Sequence, residues 1–170
     1  MDNNFSLLIS IYLKEKAEYL DRVLKSALQE QILILKERLI VEGGSLTKKL
    51  YEVIHHYKNR NSTFIKTVAL KENKGLGEAL KIGLKATLFE VVARMDSDDI
   101  SLPDRFIKQY SFFMNNNYDV VWTNIIELEK DENNIIGLKK VPENGQDILK
   151  YSKLRSFINR MTVMFKKRQF

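Results

Sequence analysis

Four times in succession a short run of strand-forming residues is followed by a segment whose apolar residues recur at helical spacing, and this alternation restricts the chain more than any other feature. Residues 5–11 (Phe-Ser-Leu-Leu-Ile-Ser-Ile) read as a strand, and Leu20, Val23, Leu24, Ala27 and Leu28 then fall on one helical face. Residues 38–41 give a second strand and Leu46, Leu50, Val53, Ile54 and Tyr57 a second helical stripe. Residues 64–70 and the stripe Leu76, Ala79, Leu80, Leu84 form the third unit. The fourth is residues 89–93 followed by Phe106, Tyr110, Phe113 and Met114. Successive strand-helix units dictate an α/β fold, a mostly parallel sheet with helices on both faces. After Tyr118 the pattern changes to strands at 119–128 and 135–141 across a turn at 131–134.

Ligands of such sheets bind beyond the carboxyl ends of the strands. The special residues sit there: Tyr12 after the first strand, Glu42-Gly43-Gly44-Ser45 after the second, Asn73-Lys74-Gly75-Leu76-Gly77 after the third. After the fourth, Arg94-Met95 lead into Asp96-Ser97-Asp98-Asp99. Carboxylates crowded at a strand end repel one another and lose hydration unless a positive group sits among them. With no Cys or His nearby, an oxygen-only donor set favours Mg²⁺ or Mn²⁺. In extended backbone Asp96 and Asp98 point to the same side, where one ligand meets both. Asp and Ser also open turns, and Ser101-Leu102-Pro103-Asp104 makes a good helix start.

At the second corner a carboxylate from Glu42 can accept the imide N–H of a uracil ring on which Tyr12 stacks. Taken singly, Glu42 is an exposed strand-end acid and Tyr12 a packed strand residue. The asparagine-glycine corner opens a helix whose free N–H groups attract anions. It is neither a P-loop nor a dinucleotide fingerprint, because its lysine precedes the glycines and no Gly-Lys-Ser/Thr follows. Adjacent His55 and His56 cannot share a helix face and read as surface residues.

Composition excludes several classes. At 170 residues, 44% hydrophobic and 29% charged, the chain suits one globular domain, and no repeat, low-complexity tract or linker divides residues 1–170. The absence of cysteine removes disulfides and thiolate metal sites and suits a reducing cytosol. Met1-Asp2-Asn3-Asn4 lacks the basic region of a signal peptide, and no apolar run reaches membrane-spanning length. A cytoplasmic location is expected. The net charge of +6 belongs to the tail alone: residues 148–170 hold seven Lys or Arg and no acid, leaving 21 bases against 22 acids before them. A basic groove for nucleic acid runs along a surface, whereas this excess is local; no nucleic-acid partner is expected. A docking surface for anionic lipid is as compatible with the tail, and a face left solvated or covered by further sequence accounts for it best.

Taken in order, these motifs resemble the nucleotide-binding part of a family 2 glycosyltransferase of the GT-A fold. Ser10-Ile11-Tyr12 with Glu18-Tyr19-Leu20 is similar to the family's opening, and Leu39-Ile40-Val41-Glu42-Gly43-Gly44-Ser45 to its acidic turn. Residues 73–83 resemble its asparagine-glycine loop and helix. Met95-Asp96-Ser97-Asp98-Asp99, followed by Leu102-Pro103-Asp104-Arg105-Phe106 and Gln109, resembles its metal (DXD) motif, and Met161-Thr162-Val163-Met164-Phe165-Lys166-Lys167 a strand leading to the acceptor side. The resemblance implies a UDP-sugar donor bound by Tyr12, Glu42, Asn73, Arg94 and Asp96. It implies Mg²⁺ or Mn²⁺ on Asp98 or Asp99. It also implies inverting transfer to a saccharide or lipid-linked acceptor, in bacterial surface polysaccharide synthesis at the inner face of the membrane.

Three departures mark this chain. Gly43 stands where the family usually has a second acid, and Ala79-Leu80-Lys81 replaces its Ala-Arg-Asn. The family's catalytic base is an acid further downstream, and no acid follows Asp147. The base is therefore expected downstream of Phe170, with the domain C-terminally incomplete. A catalytically incomplete nucleotide-sugar-binding or assembly module is the alternative; a nucleotidyltransferase lacks its basic Gly-rich loop here. An incomplete domain is expected to leave Phe157, Ile158, Met161, Val163 and Phe165 uncovered and to favour self-association.

Overall fold

Alternation along the first strand decides how the layers form. In the computed structural model, which describes residues 4–60, 65–129, 132–154 and 156–167, strand β1 (Phe5–Tyr12) is internal to the sheet. Phe5, Leu7, Ile9 and Ile11 enter one buried cluster, whereas Leu8 enters another. β1 pairs in parallel with β2 (Glu37–Gly43) on one side and with β4 (Val91–Met95) on the other. β3 (Ile65–Ala69) pairs in parallel with β2. Helices α1 (Ala17–Leu28), α2 (Lys48–Arg60) and α4 (Arg105–Asn115) pack on the Phe5 face through Leu20, Leu24, Leu50, Ile54, Phe106 and Phe113. Helix α3 (Leu76–Ala86) covers the Leu8 face alone. The α/β architecture with helices on both faces is thus present.

α3 differs from its expected stripe. Its buried residues are Ala79 and Gly83; Leu80 and Leu84 are half-buried, and Leu76 is exposed. The cause is close approach: a Cβ on Gly83 would lie 2.6 Å from Leu8 Cδ1 and from Val41 Cγ2. Small residues therefore face the sheet and the leucines flank them. In α4 Met114 is exposed, and Gln109 is buried with its Nε2 donating to the carbonyl of Thr162 at 2.6 Å.

Strand ends also shift. The fourth strand is Val91–Met95 rather than residues 89–93, so that Asp96 follows it directly. The second runs on to Gly43, and the third begins at Ile65, Phe64 lying outside the described residues. The expected strand at 119–128 divides into β5 (Val120–Val121), at the edge of the main sheet, and β6 (Ile125–Leu128), which pairs with β7 (Ile135–Lys139) as a separate hairpin. The break falls at Thr123, whose N–H donates to Thr162 Oγ1 and whose carbonyl accepts from Asn159 Nδ2. The expected hairpin turn at 131–134 includes Asp131, outside the described residues. Helix α5 (Gly145–Ser152) follows; then a 3₁₀ turn (Arg160–Thr162) leads into β8 (Met164–Lys166). β8 lies antiparallel between β4 and β5, giving the order β3-β2-β1-β4-β8-β5.

The tail is not uncovered as expected. Phe157 packs edge-on against Trp122 at 5.7 Å, Phe165 joins the α3-side cluster, and Ile158, Met161 and Val163 are half-buried. Exposed large apolar side chains occur on the hairpin (Ile126, Ile135, Ile136, Leu138) and on α5 (Leu149) instead. Phe170 lies outside the described residues. Among the described residues no helix is long and apolar enough to cross a membrane.

Candidate functional site

The carboxyl ends of β1 to β4 converge on an open cleft of about 410 Å³. β1 and the turn after it contribute Ser10, Tyr12 and Glu15; β2 contributes Gly43. The third corner adds Asn73, Gly75 and Leu76, and the fourth Asp96, Ser97 and Asp98. Of the residues singled out from the sequence, the cleft therefore gathers Tyr12, Asn73, Asp96 and Asp98. Glu42, Arg94 and Asp99 are not in its wall.

Glu42 is buried in β2 instead of standing exposed at a strand end. Its backbone carbonyl accepts the N–H groups of Gly44 and Leu70, which turns the chain out of the sheet. Gly44 has φ +85°, and a Cβ there would lie 2.9 Å from the backbone nitrogen of Asn73. Only glycine takes this conformation cheaply, and the close approach presses the second corner against the third. Asn73 Oδ1 accepts the Gly75 N–H at 2.8 Å, closing the turn that opens α3. What Asn73 offers a ligand is consequently its NH₂ group, a donor. His55 and His56 are exposed on α2, as expected.

The acid cluster is a turn and not an extended strand. Asp96 leaves β4, Ser97 and Asp98 turn the chain, and both Asp96 and Asp98 still reach the cleft. Ser97 is buried, and its Oγ donates to Glu15 Oε2 at 2.5 Å, tying this turn to the one after β1. Arg94 Nη2 donates to Asp96 Oδ1 at 2.6 Å. Asp99 points inward with Oδ2 buried and without a hydrogen-bond partner. Burial, reinforced by Asp96 and Asp98, pushes its carboxyl up to about 6 against the pull of Arg105 and Arg94. Arg105 is half-buried below: it donates to Ser101 Oγ at 2.8 Å and to the carbonyls of Arg94 at 2.7 Å and Met161 at 3.1 Å. Burial pushes its guanidinium down to about 10, with Asp99 and Asp96 opposing.

Glu15 and Ser97 were not legible as site residues. The only sequence signal was position, a polar stretch just beyond a strand's carboxyl end and the middle residue of the acid turn.

The wall carries three carboxylates, from Glu15, Asp96 and Asp98, and neither Lys nor Arg. Among the described residues no three His, Cys, Asp or Glu side chains gather closely enough to hold a metal ion by themselves. Two carboxylates on an open wall nevertheless suit a hard cation that completes its shell with phosphate oxygens and water, the usual arrangement for Mg²⁺. The carboxylates of Asp96 and Asp98 on this wall therefore fit the chemistry of Mg²⁺ or Mn²⁺, whereas Asp99, expected beside Asp98 as a ligand, lies outside it.

Comparison with known proteins agrees with this geometry. The chain is 40% identical over 163 residues to the amylovoran biosynthesis glycosyltransferase AmsE of Erwinia amylovora, covering 96% of this chain and 60% of that protein. It is 38% identical over 167 residues to the UDP-Gal:alpha-D-GlcNAc-diphosphoundecaprenol beta-1,3-galactosyltransferase of Escherichia coli, covering 96% and 58%. The mannosyltransferase PcManGT of Pyrobaculum calidifontis, solved with GDP-Man and Mn²⁺, superposes with a TM-score of 0.67 at 15% identity over 96% of this chain and 44% of its own. The chain thus spans about 60% of the length of the curated relatives it matches. Residues 6–168 match the pattern of glycosyl transferase family 2, and with a GT-A-like sheet and the cleft at its carboxyl edge the chain belongs to that family.

Proposed function

We propose that the cleft holds the UDP-sugar donor of an inverting glycosyl transfer, with a saccharide or lipid-linked molecule as acceptor, in the synthesis of a bacterial surface polysaccharide. The observation that carries this reading is the wall itself: two carboxylates of one turn beside a polar corner, at the strand carboxyl ends, with no Lys or Arg. The Escherichia coli relative, whose name gives UDP-Gal as donor, supports the choice of nucleotide.

On this reading Tyr12, 43% exposed at the end of β1, offers its ring face to the uracil. The Asn73 NH₂ donates to a carbonyl of the base. Glu42 supports this corner from within β2 rather than touching the base, since it is buried outside the wall. A diphosphate brought beside Glu15, Asp96 and Asp98 would be repelled unless a divalent cation came with it. Asp96 and Asp98 would hold that cation; Asp99, outside the wall, shapes the turn. The cation, when bound, neutralises charge that gathers on the leaving diphosphate. The acceptor oxygen attacks the anomeric carbon, the bond to the diphosphate breaks with its electron pair on UDP, and the acceptor's proton passes to a base.

The test is a thermal melt with UDP, with and without Mn²⁺, on the chain and on Asp98→Ala. Near 100 times Kd, UDP should stabilise by about 2.7 kcal/mol, a rise of roughly 5–10 °C for a domain of this size. The rise is expected only with Mn²⁺ and only with Asp98 intact. A rise with UDP alone would show that the diphosphate needs no cation here, against the reading of the wall.

A further inference from the structure

Two half-buried arginines underlie the acid turn, and they hold different things. Arg105 holds backbone, donating to the carbonyls of Arg94 and Met161. Arg94 holds a side chain: Nη2 reaches Asp96 Oδ1 at 2.6 Å, while its Nε is buried without a hydrogen-bond partner. The place of Arg94 in the sheet does not depend on its guanidinium, because its backbone N–H donates to the Val163 carbonyl at 2.8 Å. The Arg94 side chain is 11% exposed and that of Asp96 32%, so water screens their pairing only in part. Asp96 is at the same time one of the carboxylates open to the cleft.

We propose that Arg94 is a positioning residue that serves as the resident counter-ion of the cleft. In the cation-free protein it engages Asp96, and a divalent cation must take Asp96 from it. Arg94 thereby keeps affinity for the bare cation low and makes the diphosphate, which brings ligands of its own, the partner with which the cation binds. Cation and nucleotide then promote each other's binding by one and the same factor. Without Arg94 the three carboxylates of that wall would have Asp99 behind them and, among the described residues, Arg105 as the cation left acting on Asp99. Such a wall attracts a bare cation strongly. This inference rests on the donor-site reading above.

The experiment measures Mn²⁺ binding by the electron paramagnetic resonance of the free ion, with and without UDP, on the chain, Arg94→Met and Arg94→Lys. Arg94→Met is expected to bind Mn²⁺ alone about fivefold or more tightly than the parent, and its gain in Mn²⁺ affinity on adding UDP should shrink. Arg94→Lys, which keeps a cation on a shorter reach, should fall between. A residue that only supported the fold would lower the melting temperature in EDTA and leave this coupling unchanged. Equal or weaker Mn²⁺ affinity in a folded Arg94→Met overturns the inference. If Arg94→Met does not fold, Arg94→Lys decides by the same criterion. If the parent binds no Mn²⁺ even with UDP, the donor-site reading falls and takes this inference with it. That result differs from intact binding with unchanged affinities.

Discussion

A buried carboxylate and a half-buried one stand at opposite ends of the parallel strands, and their surroundings are opposite. At the amino ends Glu37, 2% exposed, receives the Ser6 hydroxyl, the Leu88 N–H at 2.6 Å and the Lys66 ammonium at 2.9 Å. Burial alone would push Glu37 up, but those three donors prevail and hold its carboxyl below the usual range. At the carboxyl ends Asp99 has an oxygen with no donor, two acidic neighbours and a carboxyl pushed up to about 6. At the amino end the Glu37 carboxylate is answered by the protein itself. The other keeps negative charge and acceptor capacity that the protein does not satisfy, and such residual demand is where a ligand belongs.

Substitutions of the two carboxylates, Glu37 and Asp99, should act with opposite signs. Glu37→Ala leaves two buried donors and one end of an ion pair unanswered and should cost about 2–4 kcal/mol, read by urea denaturation. Because the folded carboxyl of Glu37 lies below its unfolded value, its stabilisation is complete above the unfolded pKa. It is lost as pH falls through the folded one. Glu37→Gln should therefore flatten the acid limb of the stability profile, and a variant melting like the parent would remove the contrast. Next in size, Gly44→Ala forces a positive φ and a backbone clash with Asn73. It should cost about 1–3 kcal/mol and weaken UDP binding in a calorimetric titration. Retained affinity in a destabilised Gly44→Ala would separate the asparagine corner from the site. The smallest effect reverses sign: Asp99→Asn should stabilise at pH 7 by up to about 1 kcal/mol. The folded pKa is raised, so the ionised form that prevails at neutral pH is disfavoured in the folded chain. A clear loss on Asp99→Asn would mean that the two ends are built alike.

The sequence disclosed the layers because they depend on period alone. Phe5, Leu7, Ile9 and Ile11 sort to one face by twos, and Leu20, Val23, Leu24 and Ala27 by helical spacing. What it hid depends on contacts between distant residues. Gly83 allows α3 to approach closely, so Leu76 lies outside the core and lines the cleft. Thr123 breaks a strand because Asn159 and Thr162 take its backbone groups. In the site the four corners were legible as places, and Tyr12, Asn73, Asp96 and Asp98 were found together. Which acid faces out, and that Ser97 and Glu15 join two corners, follows from a turn geometry that residue types do not encode.

β8 separates β4 from β5, although β5 precedes it in the chain by some forty residues. A chain emerging from the ribosome at about 5–20 residues per second can pair β1 to β4 early, while β5 has no main-sheet neighbour until residues 164–166 arrive. The same arrival delivers Met161 to Arg105 and Thr162 to Gln109. Synthesis thus imposes an order: the layered half can form first, and the support under the acid turn is fastened only as β8 enters.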